Sequence, residues 1–133
     1  MSALEDFADN VASLFKVSCR FVCRQPVLVE DNAAATHLYR IAQEAVTNAL
    51  KHGRARRIRI GLSSTPERIV LMVSNNGVPL TKAAPQRKGL GLRIMNHRAE
   101  MIGGTLVFQR PAAGGTEVVC TVPRTDSSNA RGG

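Results

Sequence analysis

The 133-residue sequence contains few aromatic residues and no tryptophan: Phe, Trp and Tyr together make up 4% of it, whereas 44% is hydrophobic. A chain of this length buries roughly two-thirds of its unfolded surface, so its core must be built from aliphatic side chains. The lack of aromatics also argues against single-stranded nucleic acid as a partner, because bases stack on aromatic platforms. We therefore expect one domain with an aliphatic core and no nucleic-acid partner.

Long apolar runs and paired cysteines are also lacking. No segment approaches the roughly 20 consecutive apolar residues of a membrane span, and the first ten residues, MSALEDFADN, are acidic and amphipathic, unlike a secretory signal. Cys19, Cys23 and Cys120 are too few for a disulfide framework, and the first two have no second pair with which to bind zinc. We predict buried, reduced thiols and a cytoplasmic location.

The net charge of +8 is concentrated in two segments. HGRARRIRI (52–60) contains four arginines, and QRKGLGLR (86–93) contains two arginines and a lysine. A basic surface attracts polyanions such as nucleic acid, acidic lipid or a nucleotide triphosphate. Either segment can equally be a solvated charged face, so charge alone leaves the ligand open.

Hydrophobic periodicity predicts three helices and five strands. Helical spacing marks residues 3–15, 31–53 and 90–104, and alternation marks a strand over 17–24. Two hairpins are predicted, 56–64 with 68–77 and 105–110 with 116–123. Residues 78–88 contain two prolines and no periodicity, which indicates a loop. This order predicts an α/β (α+β) two-layer sandwich: a mixed, mainly antiparallel sheet of about five strands with three helices on one face.

The helix predicted over 31–53 carries a polar row. Glu44, Asn48 and Lys51 follow one another at i, i+4 and i+7, on a stripe roughly 110° to 170° from the centre of the apolar stripe. A solvated face is the ordinary interpretation of such a row. Two glycine signals favour a binding site instead: Gly77 ends a strand, and the GLG of 89–91 stands at the predicted start of the next helix, where free backbone N–H groups can bind phosphate.

In this order, the motifs resemble those of the ATP-binding catalytic domain of bacterial two-component sensor histidine kinases. The wider superfamily, GHKL, includes type II topoisomerase, heat-shock chaperone and mismatch-repair ATPases. QEAVTNALKHG matches the N box, VSNNGVP stands at the G1 box, KGLGLRIMNHRAEMIGG matches the G2 box and GGTEVVCTVP matches the closing GT strand. The G2 segment is most similar to the nitrate-sensor-type subfamily and its PAS-linked relatives.

The resemblance implies the GHKL (Bergerat) fold and a domain organisation. Residues 1–16 would form a lead-in helix at the end of an upstream linker, residues 17–124 the ATP-binding kinase catalytic domain, and residues 125–133 a disordered tail. The loop over 78–88 would act as a lid over the triphosphate, with Lys82, Arg87 and Lys88 able to close on it.

The resemblance also implies the site. Mg²⁺ prefers oxygen ligands and retains several waters, so one amide oxygen together with triphosphate oxygens is sufficient. Asn48 would be that metal ligand, and Glu44 would be the catalytic residue, facing the γ-phosphate. Lys51 can instead be a solvated lysine, and His52 can instead cap the helix. The implied ATP-binding residues are Asn48, Lys51, His52, Asn75, Gly77, Lys88, Gly89, Leu90, Gly91, Leu92 and Thr116.

Two departures from the family pattern stand out. Asn75 replaces the G1 aspartate that accepts the adenine amino hydrogens, and Pro79 replaces the second G1 glycine. An amide oxygen still accepts a hydrogen bond, although charged acceptors bind roughly twice as strongly. Alternatively, Asn75 only shapes the turn before Gly77.

The second departure concerns the acceptor: the three histidines, at positions 37, 52 and 97, lie within the ATPase boxes, so the phosphoacceptor is expected outside this chain.

The function implied is that of an ATP-dependent protein histidine kinase, which supplies the γ-phosphoryl group of Mg-ATP to a histidine outside the chain. ATP and Mg²⁺ are the implied cofactors. The implied partners are the dimerisation and phosphoacceptor domain of the same kinase and, indirectly, a response regulator, in a homodimeric parent whose membrane anchoring stays open. The alternatives are an anti-sigma-factor-type serine kinase and a catalytically lapsed nucleotide-binding or protein-interaction module, of which Asn75 would be the sign.

Overall fold

A computed structural model describes residues 2–25, 27, 29, 31–77, 85–111 and 114–124. The predicted order of three helices and five strands is confirmed. The elements are α1 (Ser2–Phe15), β1 (Ser18–Val22), α2 (Asn32–Lys51), β2 (Arg57–Ser64), β3 (Arg68–Asn75), α3 (Pro85–Met101), β4 (Thr105–Gln109) and β5 (Thr116–Pro123).

The strands form one mixed sheet in the order β1-β2-β3-β5-β4. β1 and β2 are parallel because α2 carries the chain back between them. The other neighbouring pairs, β2–β3, β3–β5 and β4–β5, are antiparallel. The predicted mixed, mainly antiparallel sheet with helices on one face is therefore confirmed.

The core lies between the helices and one face of the sheet, and it is aliphatic as predicted. Alternate residues of β2 and β3 point into it, and the apolar stripe of α2 packs against them. The largest fully buried side chains are Ile41, Val46, Ile60, Leu71, Val73, Met95 and Cys120.

α1 packs on the same core. Its apolar face, Leu4, Ala8 and Val11, is buried in the common cluster, and the ring of Phe7 meets that of Tyr39 edge-to-face at a centroid distance of 5.9 Å. The predicted boundary at residue 16 stays a prediction.

α3 begins earlier than the sequence predicted. Pro85 is its first residue, so residues 85–88, predicted as part of a loop, are helical. Proline is favoured at the first helical position because it has no N–H to leave unpaired and its φ already suits a helix. The rest of the predicted lid, including Pro79 and Lys82, lies outside the described residues, as does the predicted tail 125–133.

No disulfide joins the three cysteines, all of which lie in the described part of the chain. Burial raises the pKa of Cys19 to about 11, with a smaller contribution from the charge of Asp9. Burial likewise raises the pKa of Cys120 to about 11. Since the thiolate is the reactive form, both are unreactive near neutral pH. Cys23 is only half-buried, and its Sγ donates to the carbonyl of Gln25 at 2.9 Å.

No helix within the described ranges combines the length and hydropathy that a bilayer crossing requires.

Candidate functional site

Both ends of α2 are fixed by local hydrogen bonds, which set the position of its polar row. The side chain of Asp31 caps the N-terminus by accepting the N–H groups of Ala33 at 2.8 Å and Ala34 at 3.4 Å. At the other end, the N–H groups of His52 and Gly53 both donate to the carbonyl of Asn48, at 2.9 and 3.1 Å. His52 is thus the C-cap, the role that the sequence left open beside a nucleotide contact.

Asn48 is the least exposed member of the polar row. Only 4% of its surface is accessible, and its Nδ2 is buried with no hydrogen-bond partner among the described residues. The solvated-face interpretation is therefore wrong for this residue. α2 contacts α1, α3 and the sheet, so neighbouring elements cover more of its surface than the apolar stripe alone. A buried, unpaired donor costs about 1–3 kcal/mol, a cost that a ligand at the amide can offset.

The rest of the row differs in exposure. Glu44, one helical turn before Asn48, is half-buried and forms no ion pair with any residue in the described ranges. Residues four apart lie on the same helix face, so this carboxylate and the Asn48 amide are neighbours. Lys51 is exposed and lines a cavity of about 440 Å³ together with Phe15 and Arg54. Glu44 and Asn48 do not line that cavity, so Lys51 is not brought together with them there.

The turn after β3 is organised by Asn75. Its Oδ1 accepts the N–H of Gly77 at 2.8 Å, and its Nδ2 donates to the carbonyl of Thr116 at 3.4 Å. Asn75 and Thr116 are also register partners on β3 and β5, and Thr116 is buried. The structure thus brings together three predicted site residues, and it gives Asn75 the turn-shaping role that the sequence offered as an alternative. The side-chain Oδ1 of Asn75 has a second lone pair with which it can accept a hydrogen bond from a ligand.

Gly77 joins this turn to the end of α2. A Cβ at Gly77 would overlap the carbonyl oxygen of Gly53, and it would lie 2.8 Å from the carbonyl carbon of that residue and 3.0 Å from the nitrogen of Ala55. Only glycine permits such a close approach of two backbones. The predicted N box and G1 box are therefore in direct contact.

Two residues that support this turn were missed from the sequence. The Oδ1 of Asn76 accepts the N–H groups of Arg56 and Arg57, both at 2.9 Å. Gly115 has a φ of +84°, and a Cβ there would overlap the carbonyl oxygen of Asn75. The GG pair before β5 signals a turn, but the sequence does not show which backbone that turn approaches.

The G2 residues are placed differently from the prediction. Gly89, Leu90 and Gly91 lie inside α3 rather than at its start, because the helix begins at Pro85. Beyond the first four residues of an α-helix, each N–H donates to the carbonyl four residues earlier. The expectation that Gly89 and Gly91 offer free amides is therefore wrong for this structure. The first turn includes Lys88, while Leu92 is half-buried farther along α3.

The residues available for a metal are few. No three His, Cys, Asp or Glu side chains in the described part of the chain lie close enough together to hold an ion. A cation here would need oxygens from a ligand and from water as well as from Asn48. That requirement suits Mg²⁺, which is commonly held by one or two protein oxygens together with substrate phosphates.

Comparison with known proteins agrees with the four motifs. The profile of the histidine kinase-, DNA gyrase B-, and HSP90-like ATPase family matches residues 33–126. The nitrate/nitrite sensor protein NarQ of Escherichia coli (strain K12) is 35% identical over 118 residues, which are 88% of this chain and 21% of NarQ. The oxygen sensor histidine kinase NreB of Staphylococcus carnosus (strain TM300) is 38% identical over 97 residues, which are 72% of this chain and 28% of NreB.

A solved structure shows the same fold. The ATP-binding domain of PrrB from Mycobacterium tuberculosis superposes with a TM-score of 0.73 at 22% identity, covering 92% of this chain and 91% of the PrrB chain. The chain spans only about a fifth of the length of NarQ. Because the family profile covers well over half of the chain, this protein belongs to the histidine kinase-, DNA gyrase B-, and HSP90-like ATPase family, as an ATP-binding domain of the sensor histidine kinase type.

Proposed function

We propose that this chain binds Mg-ATP beside α2 and supplies its γ-phosphoryl group to a histidine outside the chain, in two-component signal transduction. The observation that carries the proposal is the Asn48 amide, which is buried but has an unpaired nitrogen among the described residues. Phosphoryl transfer depends mainly on positioning and charge neutralisation, and a site built from amides, one carboxylate and one cation suits that chemistry.

Asn48 would hold Mg²⁺ through its amide oxygen, while its nitrogen, unpaired among the described residues, would donate to a phosphate oxygen. The ion, when bound, neutralises charge on the triphosphate oxygens. The half-buried carboxylate of Glu44 lies one turn away and would orient or deprotonate the attacking group. Lys51 and His52, on the last turn of α2 and at its C-cap, would add charge and a ring nitrogen toward the phosphates.

The first turn of α3 would meet the phosphates. Its unpaired N–H groups belong to residues before Gly89, since Pro85 opens the helix. Of the predicted residues, Lys88 lies in this first turn and would offer its cationic side chain. The next part of α3 would pack closely against the nucleotide, which is the role we propose for Gly89, Leu90, Gly91 and Leu92.

Asn75, Gly77 and Thr116 would form the adenine side. We expect Asn75→Asp to tighten ATP binding by about 1 kcal/mol, because hydrogen bonds to charged acceptors are stronger. The same change should lower the stability of the free chain, because it removes the Nδ2–H that Asn75 donates to the carbonyl of Thr116. GTP should gain nothing, since guanine presents a carbonyl where adenine has its amino group. Calorimetric titration with both nucleotides measures the difference. Asn76→Asp is the matched control: it adds the same charge one residue away and keeps the acceptor used by Arg56 and Arg57. Equal shifts for ATP and GTP would exclude Asn75 from the adenine contact.

The proposed partners are the dimerisation and phosphoacceptor domain of the same kinase and, through it, a response regulator, in the cytoplasm. We expect no phosphohistidine on the chain incubated alone with Mg-ATP, because His52 and His97 lie within the ATPase motifs and His37 lies on the helix that carries the N box. Addition of the phosphoacceptor domain should yield phosphohistidine on that domain, detected by mass spectrometry at neutral to alkaline pH. A phosphorylated His37, His52 or His97, or no transfer to the added domain, would contradict the proposed reaction.

A further inference from the structure

The edge strand β4 lacks the usual protection against pairing. Among the described residues, β4 is hydrogen-bonded on one side only, to β5. Its sequence, TLVFQ, has no charge and no proline, and its five residues pair with β5 without a bulge. Natural proteins usually guard an edge with charged side chains, proline, a bulge or a very short strand, and of these β4 has only its short length. β4 is therefore open to a further strand.

Each face of β4 presents apolar side chains at this edge, although Thr105 and Gln109 flank Val107 on the outer one. Leu106 and Phe108 lie on the core side and are half-buried, while Val107 lies on the outer face and is 46% exposed. Val107 also ends an apolar row that crosses the outer face of the whole sheet in register. The row consists of Val22, Gly61, Met72, Val119 and Val107.

We propose that the partner of this edge is a second copy of the chain, whose β4 pairs antiparallel with the first about a two-fold axis at Val107. Side chains that lie directly opposite one another in a continuous sheet share a face. If the register between the two β4 strands shifted by one residue, core-side residues of one copy would lie opposite outer-face residues of the other. A two-fold axis at Val107, the middle residue of β4, pairs all five residues of one strand with all five of the other. It sets Thr105 opposite Gln109, Leu106 opposite Phe108 and Val107 opposite itself.

Every pair formed in this register is uncharged, and the central three are apolar. Apolar cross-strand pairs are stabilising, whereas like charges directly opposite are destabilising. The other edge shows the contrast. The same symmetry applied to β1, SCRFV, would set Arg20 against Arg20 at the centre. Self-pairing thus suits β4 and is opposed at β1.

The expected dimer is weak in isolation. A five-residue strand is about 17 Å long, and a single strand pair buries less than the roughly 1,200 Å² of a stable interface. Two copies tethered in a homodimeric parent, which rests on the proposed function, would meet at millimolar effective concentration. The pairing itself does not depend on nucleotide binding.

Sedimentation velocity over a concentration series tests the proposal with matched valine variants. Val22 and Val107 end the same row at opposite edges and are 43% and 46% exposed. The native chain should show a mass that rises with concentration, Val107→Lys should abolish the rise and Val22→Lys should retain it. A native chain that stays monomeric into the millimolar range, as it would if another segment covered β4, overturns the proposal. So does a loss of association in the Val22 variant alone.

Cysteine cross-linking tests the register. Opposed residues of an antiparallel pair have Cα atoms about 4.5–5.5 Å apart, within the range that a disulfide spans. Under mild oxidation Val107→Cys should form a covalent dimer and Val22→Cys should not; the native thiols are common to both variants. A mixture of Thr105→Cys and Gln109→Cys chains should cross-link between unlike chains. Equal dimer yields from the two valine variants would overturn the proposal.

Discussion

Replacement of Asn48 by leucine is expected to stabilise the fold and at the same time remove Mg²⁺-dependent nucleotide affinity. Leucine has the same number and branching of side-chain heavy atoms as asparagine but no polar atoms, so it removes a buried amide nitrogen that has no partner in the described part of the chain. The gain should be about 1–3 kcal/mol, the usual cost of leaving such a group unpaired. The proposed metal ligand is lost because leucine has no oxygen to offer.

Denaturant unfolding and calorimetric nucleotide titration, made on the same preparation, measure the two effects. Asn10→Leu is the control, because Asn10 is exposed on α1, and exposed substitutions usually change stability by less than about 0.5 kcal/mol. A variant of Asn48 that is less stable and binds nucleotide like the native chain would identify a purely structural asparagine.

Gly115→Ala is expected to destabilise the fold by about 2–5 kcal/mol, since a strained positive φ adds to an overpacked contact. The new methyl group would overlap the backbone carbonyl oxygen of Asn75, the residue whose side chain is hydrogen-bonded to Gly77 and Thr116. Urea unfolding gives the free energy of unfolding. The pairing of β3 with β5 should be the first part of the sheet to be lost. Nucleotide affinity should fall as well, because Asn75 and Thr116 lie at that pairing.

Gly114→Ala separates the two causes of that loss. Gly114 has a φ of +103°, but a Cβ built there meets no heavy atom within 4 Å among the described residues beyond its chain neighbours. Only the backbone strain applies, about 1–2 kcal/mol. If both alanine variants lose the same stability, the contact with Asn75 is not the reason for glycine at position 115.

The strands and α2 could be predicted because their signals are local. β2 and β3 alternate along eight residues each, and α2 has a capping aspartate before it and a glycine after it. The order of the four motifs was enough to predict the family and the fold. The start of α3 was missed because Pro85 follows a second proline in an aperiodic segment, and proline is common both in loops and at the first helical position.

The site could be predicted only in part because its geometry depends on contacts between distant segments. A helical projection of α2 put Asn48 on a polar stripe, but it could not show that neighbouring elements bury it. The approach of Gly77 to Gly53 and that of Gly115 to Asn75 join residues far apart in sequence. Asn76 is a similar case, since its two donors lie 19 and 20 residues earlier.

The most direct test of the proposed site is the affinity of the native chain for ATP measured by calorimetry with and without Mg²⁺. We expect binding at one site, tightened by Mg²⁺ in the native chain and in Asn10→Leu, and no effect of Mg²⁺ in Asn48→Leu. A native chain whose ATP affinity is the same with excess Mg²⁺ and with a chelator, or that does not bind ATP at all, would contradict the assignment of this domain as a Mg-ATP site built on α2.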